Sequence, residues 1–183
     1  MIRVLVVGTS GAGKTTVPRM IAARVGLTHY ASDDFYWQRG WQPAPIDRID
    51  RLLDDVLARP SWVLDGNFEH RWEDVWNQAD QIVWVDYSLP RVLWQVGSRN
   101  IVWLLSRRSV WSGNRMTLRR AISGIRHALR SHGRKRSAYP QYIARRRHGN
   151  VVRLSSRPQT EAWIAALGQN AGAARMCGLA IER

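Results

Sequence analysis

The residues Gly8-Thr9-Ser10-Gly11-Ala12-Gly13-Lys14-Thr15 have the spacing G-x-x-x-x-G-K-[ST], and the residue types dictate a chemistry. Gly8, Gly11 and Gly13 let the backbone curl so that successive N–H groups, with those of Ser10, Ala12 and Thr16, aim at one point where phosphate oxygens would sit. Lys14 supplies a compact positive charge for β- and γ-phosphates, and Thr15 a hydroxyl for Mg2+. The chain contains 26 arginines and only 2 lysines, so a point charge in place of a guanidinium fork is required at position 14.

Three further positions carry carboxylates where chemistry would need them. Asp33 follows His29-Tyr30-Ala31-Ser32, Asp65 follows Trp62-Val63-Leu64, and Asp86 follows Gln81-Ile82-Val83-Trp84-Val85. Asp33 could orient or deprotonate a hydroxyl. Asp65 and Asp86 both end apolar runs, so either suits the magnesium side by pattern, and either suits a helix cap. The five histidines have neither H-x-x-x-H nor mixed Cys/His spacing, which argues against a transition-metal site.

The elements that must hold these residues alternate between two periods. Ile2–Val7 is a short β-branched run, the pattern of a buried parallel strand, and it feeds the glycine loop directly. Helical spacing follows over 14–25, stopped by Gly26. Residues 29–32, 62–64, 81–85 and 151–154 read as further strands. Ile46, Ile49, Leu52, Leu53, Val56 and Leu57 form a helix stripe ended by Pro60, a short helix is expected near 71–77, and Ser88-Leu89-Pro90 opens a helix to about Leu105. Residues 40–45 and 107–115 read as loops, Met116–Leu129 and Thr160–Leu167 as helices, and 168–183 as a loose tail. Strands alternating with helices predict an α/β parallel sheet with right-handed crossovers and a ligand at the carboxyl ends of its strands, where the glycine loop, Asp33, Asp65 and Asp86 all fall.

Composition narrows the class. With 183 residues, 45% hydrophobic and 23% charged, the chain is expected to form one globular domain over 1–167. Its single cysteine, Cys177, cannot close an internal bridge, and no run is long and apolar enough to span a bilayer, so a cytoplasmic protein is expected. The net charge of +14 is unevenly spread: residues 31–86 hold twelve of the fourteen acids, while residues 87–160 hold seventeen basic residues and none. Such a block predicts a polyanionic partner, either the phosphates of a nucleotide and a phosphorylated substrate or a nucleic acid.

From the glycine loop onward the chain resembles small bacterial P-loop kinases of the adenylate kinase and shikimate kinase type, most closely the branch labelled topology modulation proteins. The stretches that carry this are GTSGAGKTT, SDDFYW, GW-P-P before a helix, WVLDGNF, IVWVDYSLPR and the arginine-rich region, in order over residues 2–167. The resemblance implies a three-layer P-loop sandwich, a five-stranded parallel sheet in order 2-3-1-4-5, and a helical arginine-rich lid over about 99–147. It also implies ATP-dependent phosphoryl transfer with ATP and Mg2+ as cofactors.

Carried over by position, Asp33 faces the acceptor with Trp37 and the turn Asp65-Gly66-Asn67. Asp65 takes the magnesium side with Thr15, and Asp34 is an extra acid where relatives are apolar. The lid arginines resemble Arg99, Arg107, Arg108 and Arg115, with Arg115 and Arg119 expected to act in catalysis and Arg107 to hold the nucleotide. Ser155-Ser156-Arg157-Pro158 matches the loop around the adenine ring. Asp65-Gly66-Asn67 lacks the proline-arginine continuation of nucleoside monophosphate kinases. The leading expectation is therefore a kinase of a small metabolite or nucleotide. The alternative is a nucleotide-dependent nucleic-acid-binding ATPase using the basic block, as Arg134-Lys135-Arg136 and Arg145-Arg146-Arg147 would allow.

Overall fold

A computed structural model describes residues 2–176. In chain order the elements are β1 (Arg3–Gly8), α1 (Thr16–Val25), β2 (His29–Ala31), α2 (Ser32–Tyr36), β3 (Trp37–Gln38), β4 (Gln42–Pro43), α3 (Ile46–Leu57), β5 (Trp62–Asp65), a 3-10 turn (Glu69–Arg71) and α4 (Trp72–Gln78). They continue with β6 (Gln81–Val85), α5 (Leu89–Ser106), β7 (Ser109–Val110), β8 (Asn114–Arg115), α6 (Leu118–Ala144), β9 (Asn150–Leu154) and α7 (Arg157–Met176).

β2, β5, β1, β6 and β9 form one sheet, in that order, with every pairing parallel. Counting these five strands along the chain, the order is the anticipated 2-3-1-4-5. β1 lies at the centre because its apolar run can be buried on both faces. Val4 and Val6 join Val17, Ile21, Val83 and Ile164 on one side, while Leu5 and Val7 join Leu53, Trp62, Trp76 and Ile82 on the other. Two helical layers thus sandwich the sheet, and the strand ends at Gly8, Ala31, Asp65, Val85 and Leu154 share one edge.

Several boundaries differ from the sequence expectation. Residues 107–115 are not an irregular loop, because β7 and β8 pair there as an antiparallel hairpin, and β3 and β4 form a second hairpin over 37–43. The expected Met116–Leu129 helix runs on to Ala144, through Pro140. Its continuation escapes an apolar-period search because its buried positions there are Ser131, His132, Lys135 and Tyr139. Helix α7 extends past Leu167 to Met176, taking in the first part of the expected tail, and Cys177 and the rest of that tail lie outside the described residues.

Helix α6 crosses the carboxyl edge of the sheet. Ala128 packs into the core layer containing Val6, and Tyr139 into the opposite layer containing Leu5. Between them, His132 Nε2 hydrogen-bonds the Tyr87 carbonyl (3.0 Å), and the Tyr139 hydroxyl donates to the Gly8 carbonyl (3.4 Å). Asn100 of α5 ties that helix to α6 by donating to the Ala121 carbonyl (3.1 Å).

Candidate functional site

The glycine loop closes between β1 and α1 through short local bonds: Ala12 N–H to Thr9 C=O (3.0 Å), and Thr16 and Val17 N–H to Gly13 C=O (3.0 and 2.9 Å). Gly11 (φ +85°) and Gly13 (φ +97°) take left-handed conformations that L side chains rarely adopt, and a Cβ on Gly11 would strike the Val96 side chain of α5. At Gly8 a Cβ would lie 2.7 Å from the Val85 carbonyl. Ala12 is buried, Ser10 and Thr15 are half-buried, Thr16 is exposed, and Thr15 occupies the N-cap of α1 without spending its side chain on the cap. Its hydroxyl is therefore free of that task.

Around Lys14 the fold gathers charges from α2, β5, α5 and the 3-10 turn: Asp33, Asp65, Arg99 and Glu69. Burial lowers the Lys14 ammonium below the usual lysine range, partly offset by Asp33 and Asp65. Burial pushes the Asp33 carboxyl up, with Lys14 and then Arg99 pulling it back toward ionisation. Arg99 in turn is lowered by burial and held charged by Asp33. It is stacked 4.7 Å over Trp103. Arg99 is thus the arginine that the fold brings to Lys14 and Asp33. Arg115 and Arg119 are exposed, on β8 and at the start of α6.

Asp65 is buried and saturated. Its Oδ2 pairs with His29 Nε2 (2.8 Å), and its Oδ1 accepts from the Ser32 N–H (3.1 Å) and hydroxyl (3.2 Å). Its direct work is to hold Ser32 and therefore the start of α2, which carries Asp33. Gly66 (φ +142°) is required beside it, because a Cβ there would lie 2.7 Å from Ser32 Cβ. Asp86, the other strand-end candidate, is buried against two guanidinium groups, with Arg136 Nε at 3.0 Å and Arg153 Nε at 2.9 Å. Both strand-end carboxylates are thus engaged within the fold, Asp65 by His29 and Ser32 and Asp86 by the two arginines.

The remaining positions divide. Asn67 joins the site: oriented to satisfy all its neighbours, its amide donates to the Gly8 carbonyl (3.2 Å) and to Tyr139 Oη, and its oxygen accepts from Lys135 Nζ. Trp37 packs edge-on against Tyr36 and Trp41 (centroids 4.8 and 5.4 Å) and, with Asp34, Arg39, Arg48 and Ser112, lines a cavity of about 270 Å³. Arg107, at the left-handed C-cap of α5, and Arg157, bonded to Glu161 (2.7 Å), are both exposed.

The lid hairpin is latched to the β3–β4 hairpin. Asn114 Oδ1 accepts from the Trp41 N–H (2.9 Å), its Nδ2 donates to the Gln38 carbonyl (2.8 Å), and the Ser112 hydroxyl donates to the Trp37 carbonyl (2.6 Å). A run of edge-to-face tryptophans, Trp37, Trp41, Trp111 and Trp103, continues the contact toward Arg99.

With this geometry established, comparison with solved structures is decisive for the fold. The chain superposes on shikimate kinase from Bacteroides thetaiotaomicron with TM-score 0.56 and 13% identity, covering 93% of this chain and 98% of that one. A shikimate kinase from Acinetobacter baumannii in complex with shikimate gives TM-score 0.56 and 15% identity, covering 94% of each chain. The chain has the shikimate kinase fold. No family model matches the sequence, and no curated protein matches it.

In this shikimate kinase fold one residue of the site escapes the sequence patterns altogether. Lys135 is 5% exposed, packed beside Asn67 and Tyr139, and its ammonium is lowered to about 7, chiefly by burial and then by Lys14. The one available signal is its rarity: it is the only lysine besides Lys14. Among the described residues no helix is long and apolar enough to cross a membrane, and no group of three or more His, Cys, Asp or Glu side chains could hold a metal ion.

Proposed function

We propose that the protein is an ATP-dependent phosphotransferase acting on a hydroxyl of a small metabolite or nucleotide. The observation that carries this reading is the convergence of Lys14, Asp33 and Arg99 beside the glycine loop, each with its pKa shifted by burial, with Asp33 acting on both cations and both cations acting on Asp33. Groups perturbed by burial together with specific charge partners are candidates for chemistry. The kinship of the fold to the shikimate kinases supports the same class, and the stretches quoted above support the finer resemblance to the topology modulation branch.

The loop fits a nucleotide. Gly11 and Gly13 take left-handed conformations that L side chains rarely adopt, and among the described residues Lys14 has no carboxylate partner that would have to be displaced. Residues 8–16 would hold the triphosphate. Thr15 would reach Mg2+ directly, and Asp65, whose oxygens are engaged by His29 and Ser32, would act on it from behind. Magnesium characteristically keeps several waters and is shared with phosphate oxygens, so no all-protein cage is needed. When bound, the ion neutralises charge on the phosphates.

The protein's own groups supply the rest. Asp33, carried on the helix that Asp65 positions, accepts the proton of the acceptor hydroxyl. Lys14 and Arg99 face the charge that spreads over the phosphoryl oxygens. The lid hairpin, hydrogen-bonded to the β3–β4 hairpin, excludes water that would otherwise compete as acceptor. Four arginines of the basic block are spent within the fold: Arg136 and Arg153 on Asp86, Arg134 on Glu69 (3.1 Å), and Arg146 on the Trp76 and Ala79 carbonyls (3.2 and 2.8 Å).

The test is ADP release from Mg-ATP across nucleoside monophosphates, hydroxylated metabolites and duplex DNA. Stimulation by one small molecule supports the phosphotransferase. Stimulation by DNA alone, weakening with salt, overturns it in favour of a nucleic-acid-dependent ATPase.

A further inference from the structure

The two lysines of the chain meet in one place, although they lie 121 positions apart in the sequence. Lys135 projects from α6 where that helix crosses the carboxyl edge, donating to Asn67, whose amide in turn binds the Gly8 carbonyl at the mouth of the glycine loop (3.2 Å). Lys14 projects from the other end of the same loop, and its charge lowers the Lys135 ammonium further.

Several arginines of the protein are paired with carboxylates or carbonyls. Arg71 lies between Asp54 (2.6 Å) and Asp74, Arg136 and Arg153 share Asp86, and Arg146 is capped by carbonyls. Among the described residues neither lysine forms an ion pair with a carboxylate. Desolvation penalises an ammonium buried without an ion-pair partner, and a second of the same sign beside it adds repulsion. An anion placed between them relieves both terms at once. Asn67 takes one of the three donors of the Lys135 ammonium, which leaves two for an arriving anion.

We propose that Lys135 is a second phosphate-binding cation, closing with Lys14 on the same phosphoryl group from the opposite side. The proposal rests on the phosphate-loop part of the function argued above but not on transfer to an acceptor. Its consequence is proton linkage. Near neutral pH Lys135 is only partly protonated, and an arriving polyanion stabilises its charged form, so phosphate binding draws in a proton. The groups that face it are Lys14 from the loop, Asp33 from α2, Glu69 from the turn after β5, and His127 and Arg134 from α6. Of these, Lys14 and His127, both lowered by burial, and Asp33, raised by it, are the other groups able to take up a proton as an anion binds.

The experiment is calorimetric titration of the full chain with ATP, magnesium chelated, at about pH 8, where free ATP is fully ionised and a lysine of pKa about 7 is mostly neutral. Running it in buffers of different ionisation enthalpy counts protons. Wild type is expected to take up close to one proton per ATP. Lys135→Gln, which can still donate to Asn67, is expected to lose that uptake and bind ATP about tenfold or more weaker. His127→Gln is expected to keep the uptake.

ATP binding by wild type without proton uptake overturns the proposal with no variant needed, and so does a Lys135→Gln protein that retains both affinity and uptake. Failure of wild type to bind ATP overturns the phosphate loop itself. Binding with proton uptake but no phosphoryl acceptor upholds Lys135 and overturns only the phosphotransferase.

Discussion

Asp65 and Ser32 are joined twice, the carboxylate Oδ1 accepting from both the Ser32 N–H (3.1 Å) and its hydroxyl (3.2 Å). Strand β5 thereby fixes the first turn of α2, and the next residue of that turn is Asp33. Asp65→Ala leaves the Ser32 N–H and His29 without their acceptor, a loss of about 1–3 kcal/mol for such a buried donor. We expect stability by urea unfolding to fall in that range and phosphoryl transfer to fall at least tenfold, while Ser32→Ala, which removes one of the two bonds, costs less than half as much in each assay.

Lys14→Ala should abolish ATP turnover while leaving the fold intact, because the ammonium is desolvated and has no structural ion pair. Steady-state ADP release together with circular dichroism checks this. A folded variant with normal turnover contradicts the assignment of residues 8–16.

Asp86→Asn tests the competing strand-end carboxylate. It removes the charge that Arg136 and Arg153 share, and since both arginines are half-exposed (side chains 48% and 52%) the cost is moderate, about 1–3 kcal/mol of stability. The Mg2+ concentration for half-maximal activity should not change. In Asp65→Asn it should rise.

Asn114→Ala breaks the latch between the two hairpins. Asn114 is buried and bonds Trp41, Gln38 and Trp111. Amide hydrogen exchange should accelerate in 37–43 and 109–115 with the central sheet unaffected, and wasteful ATP hydrolysis should rise relative to transfer as water gains entry.

Lys135 predicts a pH signature in stability. Its folded pKa of about 7 lies below the 10.5 of an unperturbed lysine, so between these values the unfolded chain binds more protons and stability rises with pH. Below about 7 the full penalty of the buried charge is present. Lys135→Met should be more stable than wild type at neutral pH by a few kcal/mol, with a flatter profile from pH 7 to 10.5, as denaturant midpoints across that range would show.

The sheet was legible because its central strands are short apolar runs such as Val4-Leu5-Val6-Val7 and Ile82-Val83-Trp84-Val85, each followed by or ending in glycine or aspartate, and the glycine loop because its spacing is tied to one function. The two small hairpins were not, since β3, β4, β7 and β8 are two-residue strands specified by tertiary bonds from Asn114 and Ser112 and not by any local period. The second half of α6 was hidden for a related reason: where a helix lies over a polar site, its inward stripe is polar. Among so many arginines, sequence could not select Arg99, whose role depends on α5 packing against the loop at Val96 and Gly11.

The most direct test of the central claim follows the γ-phosphate itself. ATP labelled in that position is incubated with the protein, Mg2+ and a panel of hydroxylated small molecules, and the products are separated. The account predicts label on one small molecule, lost in Lys14→Ala and in Asp33→Asn. Label appearing solely as inorganic phosphate, undiminished by Asp33→Asn, would contradict it.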